Sequence, residues 1–408
     1  MYIFKAGVVG AGAMGAEIAQ VISYSGLPVV LKDVDQAMLD KGMARIRGIY
    51  QTRVNKGKMD AHTMEDKISL IEPTLRYDSF GDVDIVIEAI PERMDLKKRV
   101  LAELQDACPT GAVFASNTSA LSISEMGAGT DRPGKVIGMH FFNPAHVMKL
   151  VEVIPGLDTD DETVDTVAGF AESLRKIPVV VKECPGFLVN RLLMPYINEA
   201  GICLQEGAAT AEEIDDAMVE FGMPMGPFTL MDMTGIDIAY DVGQTLAAEY
   251  GDRMVSSVLF ERLFERKRLG QKSGVGFYDY GAGESEPLAD ILAEVQQELG
   301  VAQPTEFSVE RLVFPMINEA ALCLQENIAS PADVDMAMVA GIGMTYGGQR
   351  IGPLAVADEI GLDVVANTLS ELQAKYGDRY CPCRYLRLKV RANHLGKKTG
   401  RGFHEYAG

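Results

Sequence analysis

The chain is poor in the residues that build metal centres, disulfide frameworks and polyanion-binding faces. Six cysteines occur in 408 residues and no CxxC pair is among them. Cys381 and Cys383 form a Cys-Pro-Cys, but no second cluster completes a zinc site. Reduced, mostly buried thiols are therefore expected, and no bound metal. Lysine and arginine are outnumbered by acids, 38 against 58, for a formal charge of −20. That balance argues against a broad surface for nucleic acid or anionic membrane. No apolar run reaches the length of a membrane span. The first fifteen residues carry only Lys5 as a positive charge and read as a strand entering a glycine loop, not as a leader. A cytoplasmic protein is expected.

What is present is an α/β pattern followed by an all-helical one. Strands are expected at Phe4–Val9, Val29–Asp33, Val83–Ile90, Val113–Ser116, Val136–Phe141, Leu150–Ile154 and Val179–Val181, with helices between. Alternation of this kind predicts a parallel sheet with crossover helices, the Rossmann architecture. The stretch 36–71 is polar, basic and too long for a plain crossover, so it is read as a projecting helical hairpin. Past Lys182 strand signals stop. Residues 183–282 and 309–408 then repeat one another. Pro195 opens PYINEAGICLQE and Pro315 opens PMINEAALCLQE, with nine of twelve positions identical. Gly226-Pro227 returns as Gly352-Pro353, and LGQKSGVGFYDY from Leu269 as LGKKTGRGFHEY from Leu395. The expected organisation is a nucleotide-binding domain (1–182), a helical domain, a linker (283–308) and a second, homologous helical domain.

Gly10, Gly12 and Gly15 make G-x-G-x-x-G directly after a strand and before a helix. The first glycine turns the chain, the second admits a pyrophosphate to the backbone, and the third lets helix and strand pack closely. Ala13 and Met14 fill the variable positions, at a helix N-terminus that faces the anion. Asp33, 18 residues beyond Gly15, ends the second strand. A carboxylate there accepts from ribose hydroxyls and repels a 2′-phosphate, which favours NAD over NADP. Asp35 is the competing position.

Among five histidines, His140 ends a predicted strand in GMHFFNP, where the sheet's ligand crevice opens. Glu152 lies among apolar neighbours in LVEVI and requires a partner. The two read as a general base and its orienting carboxylate; a satisfied core histidine beside an unrelated acid fits the spacing equally well.

At these residues the chain resembles the L-3-hydroxyacyl-CoA dehydrogenases. The resemblance rests on SNTSALSI from Ser116, GMHFFNPAHVMKLVEV from Gly138 and PGFLVNRLLMPYINEA from Pro185. It spans Lys5 to Tyr280, and the duplication of the helical domain is similar to the dehydrogenase part of multifunctional fatty-acid oxidation proteins. It implies an NAD-dependent oxidation of (S)-3-hydroxyacyl-CoA, and the reverse reduction. His140 is then the general base, Glu152 its orienter, and Ser119 and Asn190 hold the substrate oxygen, with Asn143 nearby on the substrate. Ala89, Ile90, Glu92, Lys97 and Asn117 line the cofactor; a solvent-facing helix charge is the plain alternative for Lys97. The helical hairpin meets the CoA portion, with Lys56 chosen among Lys41, Arg45, Arg47, Arg53, Lys56 and Lys58.

In the second copy Glu310-Arg311 stands where the first has Asn190-Arg191, so that copy is read as structural. The two copies then form an intrachain pseudo-dimer, which leaves a monomer or a homodimer open. The multifunctional relatives carry an enoyl-CoA hydratase domain in the same chain, and none is visible here. Two rivals remain. A dehydrogenase of free hydroxy acids or sugar acids on this architecture is expected to carry a lysine where Asn190 stands. A non-catalytic NAD-binding protein is expected to have lost one of Ser119, His140, Glu152 or Asn190.

Overall fold

The computed structural model describes residues 2–281, 283 and 285–406; the expected domain limits at 1, 282 and 408 lie outside the described residues. The chain divides into two units, Met1–Phe187 and Leu188–Gly408.

The first unit is built on eight strands: β1 (Ala6–Val9), β2 (Val29–Lys32), β3 (Ile71–Thr74), β4 (Ile85–Glu88), β5 (Val113–Ser116), β6 (Val136–Phe141), β7 (Leu150–Pro155) and β8 (Ile177–Val180). They run in the order β3-β2-β1-β4-β5-β6-β7-β8. Both faces are covered, as the burial shows. Val8, Leu31 and Ile87 enter one apolar cluster, while their strand neighbours Val9, Val30 and Val86 enter another. A sheet dry on both sides explains why these strands read as continuous apolar runs. The covering helices are α1 (Ala13–Ser25), α2 (Gln36–Asn55), α3 (Ala61–Ser69), α4 (Met94–Ala107), α5 (Ile123–Ala128) and α6 (Asp161–Ser173). The expected hairpin is α2 with α3. Asp60 caps α3 by accepting from the Thr63 N–H.

Two features depart from the sequence reading. The hairpin stretch gives up its end to β3, an edge strand that pairs with β2. The sheet is also not wholly parallel: β6 and β7 are antiparallel, joined by residues 142–149 without a crossover helix, and β8 follows β7 in parallel. The reversal matters for the site. In register, His140 lies opposite Glu152, and side chains of directly paired residues share one face of a sheet.

The second unit is helical. Its first copy holds α7 (Val189–Gln205), α8 (Ala211–Phe221), α9 (Pro227–Thr234), α10 (Ile236–Tyr250) and α11 (Val258–Glu265). The connecting stretch contains α12 (Leu288–Leu299). The second copy holds α13 (Val309–Gln325), α14 (Pro331–Ile342), α15 (Pro353–Ile360), α16 (Leu362–Tyr376) and α17 (Arg384–Arg391). The copies share their internal wiring. Asp215 accepts the N–H groups of Phe228 and Thr229 at the start of α9. Asp335 does the same for Leu354 and Ala355 at the start of α15.

The helices α7 and α13 pack on one another, and charge crosses between them reciprocally. Arg191 of the first copy meets Glu319 and Glu326 of the second, each at 2.7 Å. Arg311 of the second copy meets Glu206 of the first at 3.0 Å and Glu199 at 3.7 Å. Arg253 and Arg379 repeat the exchange on Glu319 and Glu199. Each guanidinium lies over a tyrosine ring, Arg191 over Tyr250 and Arg311 over Tyr376. Arg191 and Arg311 are almost fully buried, so the network is an internal junction in which every charge has an opposite neighbour.

Asn318 of the second copy serves structure. Its amide donates to the Cys381 carbonyl and accepts the Cys383 N–H. Asn318→Ala is expected to lower stability by roughly 1–3 kcal/mol, the cost of stranding buried polar groups. Turnover measured well below the melting transition is expected to stay at the wild-type rate.

Candidate active site

The glycine loop is shaped for a ligand. Gly10 has φ +101°, and a Cβ there would stand 2.5 Å from the Ala89 carbonyl. A Cβ on Gly15 would collide with the Gly10 carbonyl. Gly12 differs: nothing lies within 4 Å of its Cβ position. That glycine leaves room on the ligand side, at the start of α1, where no side chain caps the free N–H groups of the first turn. An anion is the natural partner for such an end. Ala13 and Met14 form that first turn.

Asp33 and Asp35 separate cleanly. Asp33 Oδ2 accepts the Ala11 N–H at 2.7 Å, and Oδ1 accepts the Val34 N–H. Its carboxylate is thereby fixed beside the glycine loop. Asp35 is occupied as the N-cap of α2, accepting from the Ala37 N–H.

At the other strand ends, His140 Nδ1 is 2.7 Å from Glu152 Oε2. Glu152 is 0% exposed and His140 7%. An ionised carboxylate only accepts, so Nδ1 carries the hydrogen and Nε2 is left as the basic nitrogen. Phe142 and Phe187 pack against the imidazole ring. Asn117 follows β5, and its side-chain oxygen accepts the Phe141 N–H at 2.8 Å, next to His140. Asn143 is exposed two residues beyond Phe141.

Ser119 lies on the loop after β5, where its N–H and hydroxyl both reach Glu92 Oε1, at 2.8 and 3.2 Å. Glu92 also accepts from the Thr118 hydroxyl and lies 3.2 Å from Lys97 Nζ. Lys97 is not a solvent-facing charge. It is 1% exposed, and its ammonium bonds both oxygens of Glu88, at 2.8 and 2.9 Å. Its N–H groups are thus directed at two carboxylates, Glu88 and Glu92. Glu88, unnoticed in the sequence, is the hub. It takes Lys97, the Ser116 hydroxyl and the Ile90 N–H. Ala89 and Ile90 follow it just past the end of β4, half-buried.

A second buried acid was also missed. Glu17 on α1 meets Arg45 at 2.6 Å and His146 at 3.0 Å, tying the helix after the glycine loop to α2 and to the segment after β6. Burial alone raises Glu17, but Arg45 and His146 outweigh it and hold the carboxyl below its usual 4.5. Burial likewise raises Glu92, and Lys97, Thr118 and Ser119 together hold it below 4.5. A depressed carboxyl stabilises the fold above its unfolded value and loses that contribution as pH falls through the folded one. The urea midpoint is therefore expected to decline once pH drops below about 4.5, and less steeply in Glu17→Gln.

Of the hairpin cations, Arg45 is held by Glu17 and Arg47 by Glu65, while Arg53 donates to the Tyr24 hydroxyl. Lys56 and Lys58 are exposed at the end of α2 and form no ion pair among the described residues. Asn190 is on the second unit, the second residue of α7, half-buried.

Residues 5–184 match the family model of the 3-hydroxyacyl-CoA dehydrogenase NAD-binding domain, and 186–280 and 307–406 each match that of its C-terminal domain. The chain belongs to the 3-hydroxyacyl-CoA dehydrogenase family. It is 39% identical over 389 residues to the fatty acid oxidation complex subunit alpha of Psychrobacter arcticus, covering 93% of this chain and 54% of that one. The corresponding subunit of Acinetobacter baylyi is 40% identical over 369 residues, covering 88% and 51%. The chain thus spans about half the length of these curated relatives. Among solved structures it is similar to 3-hydroxybutyryl-CoA dehydrogenase from Escherichia coli, with TM-score 0.86, 30% identity, and 96% and 99% of the two chains covered. It is also similar to (S)-3-hydroxybutyryl-CoA dehydrogenase from Ralstonia eutropha, with TM-score 0.66 and 40% identity, over 68% of this chain and 99% of that one. Both copies of the helical domain are thus members of the family's C-terminal domain, as the internal repeat implies.

Proposed function

We propose that this family member catalyses the NAD-dependent oxidation of (S)-3-hydroxyacyl-CoA to 3-oxoacyl-CoA, and the reverse reduction. The observation that carries the reading is the His140–Glu152 pair, buried on adjacent strands of a sheet whose glycine loop is open for a dinucleotide. Gly10, Gly12, Gly15 and Asp33 are the residues that would hold NAD, whose nicotinamide would supply the hydride acceptor. His140 Nε2 takes the proton of the 3-hydroxyl as hydride departs from C3, and the bond between that oxygen and C3 becomes a carbonyl. Glu152 stabilises the resulting imidazolium and keeps Nε2 directed outward. In reduction the same nitrogen returns the proton to the 3-keto oxygen. Ser119 donates to that oxygen as charge develops on it. Glu92, held by Lys97, accepts from Ser119 and would take the nicotinamide ribose side of the bound cofactor. Asn117 positions the strand end that carries His140.

The substrate brings phosphate charge onto a protein of net −20, so its nucleotide end needs local cations. Lys56, with Lys58 beside it, is assigned that role, and Asn143 is assigned to the substrate. A cytoplasmic location fits a reaction on soluble CoA thioesters; among the described residues no helix is long and apolar enough to cross a membrane. Because α7 already has α13 against it within the chain, the reading favours a monomer over a dimer built through this surface.

The test is stereochemical. With NAD, (S)-3-hydroxybutyryl-CoA is expected to be oxidised and the (R) isomer to be left untouched. Equal rates with the two isomers contradict the proposed arrangement of His140 and Ser119.

A further inference from the structure

The second helical copy carries an open pocket that the dehydrogenase reading does not use, of about 390 Å³, lined by α14, the start of α15, the loop before it, and His404 and Tyr406. That size lies within the range of small-molecule sites. The chain supplies its own control, because the same place exists in the first copy. There Asp215 is saturated. It takes two backbone N–H groups, the Thr229 hydroxyl and the Tyr278 hydroxyl at 2.9 Å. Two exposed acids, Glu212 and Asp216, stand on the same helix beside it.

The second copy changes each of these in one direction. Asp335 replaces Asp215 and keeps its two backbone partners. Thr229 becomes Ala355 and Tyr278 becomes His404, and both replacements are smaller. Glu212 and Asp216 become Ala332 and Met336, which removes two carboxylates and leaves apolar surface. Asp335 lies 120 positions after Asp215, but Gly352 lies 126 after Gly226, so six residues have entered the loop between them. Arg350, in that longer loop, lines the cavity, is exposed, and has no ion pair among the described residues.

His404 also lines the cavity, with Nε2 at 2.7 Å from Asp335. The carboxylate must accept, so Nε2 carries hydrogen; Nδ1 has no partner among the described residues and donates as well once the ring is the imidazolium. The bond to Asp335 raises the His404 pKa above its usual 6.5; burial and Lys389 oppose, and Asp358 assists. Loss of two anions, gain of an unpaired guanidinium and a shift to small apolar walls together describe a receptor for an anion with a short hydrocarbon body.

We propose that this cavity binds a small monocarboxylate, with Arg350 and His404 on the carboxylate and Ala332, Met336 and Ala355 against a short aliphatic tail. The site lies wholly within the second copy and does not depend on the dehydrogenase assignment.

The experiment is isothermal titration of the full chain with hexanoate, beside hexan-1-ol and hexylamine, without cofactor. Hexanoate is expected to bind, and the neutral and cationic analogues are not. Arg350→Gln, and separately Ala332→Glu with Met336→Asp, are each expected to weaken hexanoate by at least about tenfold. The altered positions are exposed, so thermal unfolding is expected to be unchanged and to serve as the control. His140→Gln is expected to leave the titration as it is. Absence of hexanoate binding at millimolar concentration overturns the proposal. So does equal binding of hexan-1-ol, and so does binding that the cavity variants leave intact, which places the ligand elsewhere.

Discussion

His140→Gln is expected to lower kcat by about 10²–10⁴-fold, the span of a lost general base, while NADH still binds with wild-type affinity. The reason is local. Glutamine can donate to Glu152 and fill much of the space beside Phe142 and Phe187, but it cannot accept and return a proton. Steady-state turnover gives the first quantity, and titration of NADH fluorescence gives the second. Glu152→Gln is expected to reduce turnover through the same nitrogen. An amide facing Nδ1 no longer enforces that tautomer, so the loss appears in kcat and in a displaced pH profile, with KM for the thioester little changed. Full activity in His140→Gln removes the base assignment outright.

The largest stability effect is expected at the junction of the two helical copies. Arg311→Met leaves Glu199 and Glu206 facing a methyl thioether where a buried guanidinium stood. Truncating one partner of a buried pair costs about 3–5 kcal/mol, because the remaining charge stays desolvated. Arg379 and the Tyr380 hydroxyl still reach Glu199, which places the effect towards the lower end. Urea unfolding followed by far-ultraviolet dichroism measures it. A surface control such as Lys375→Met removes the exposed Lys375–Glu306 pair and a cation–π contact with Tyr376, and exposed pairs of this kind contribute little. Equal effects from the two substitutions contradict the structural reading of the junction.

What was readable in the sequence, and what was not, follows from the range of the interactions. The glycine loop announced itself because each glycine answers a local steric demand, which the Gly10–Ala89 and Gly15–Gly10 approaches make explicit. The His140–Glu152 pairing was legible for a different reason: an acid among apolar residues implies a partner. Its geometry was not, since antiparallel pairing of β6 and β7 comes from a connection too short for a crossover. The edge strand β3 escaped because Ile-Glu-Pro-Thr contains a proline and exposes two of its side chains. The solvent-facing alternative for Lys97 stood open because helix periodicity does not reveal Glu88 on a neighbouring strand. The pairing of Arg191 and Arg311 with the opposite copy's glutamates had a signal that went unused. Arginine and glutamate recur at matching places in two otherwise apolar helices, which is costly unless each copy neutralises the other.

The most direct measurement of the central claim is the oxidation of NADH with acetoacetyl-CoA, run beside free acetoacetate and repeated with NADPH. Turnover with the thioester and NADH, with neither free acetoacetate nor NADPH as an effective replacement, is the result predicted from His140, Glu152 and Asp33 together. Turnover of free acetoacetate at a comparable rate contradicts it and assigns the crevice to a dehydrogenase of free hydroxy acids.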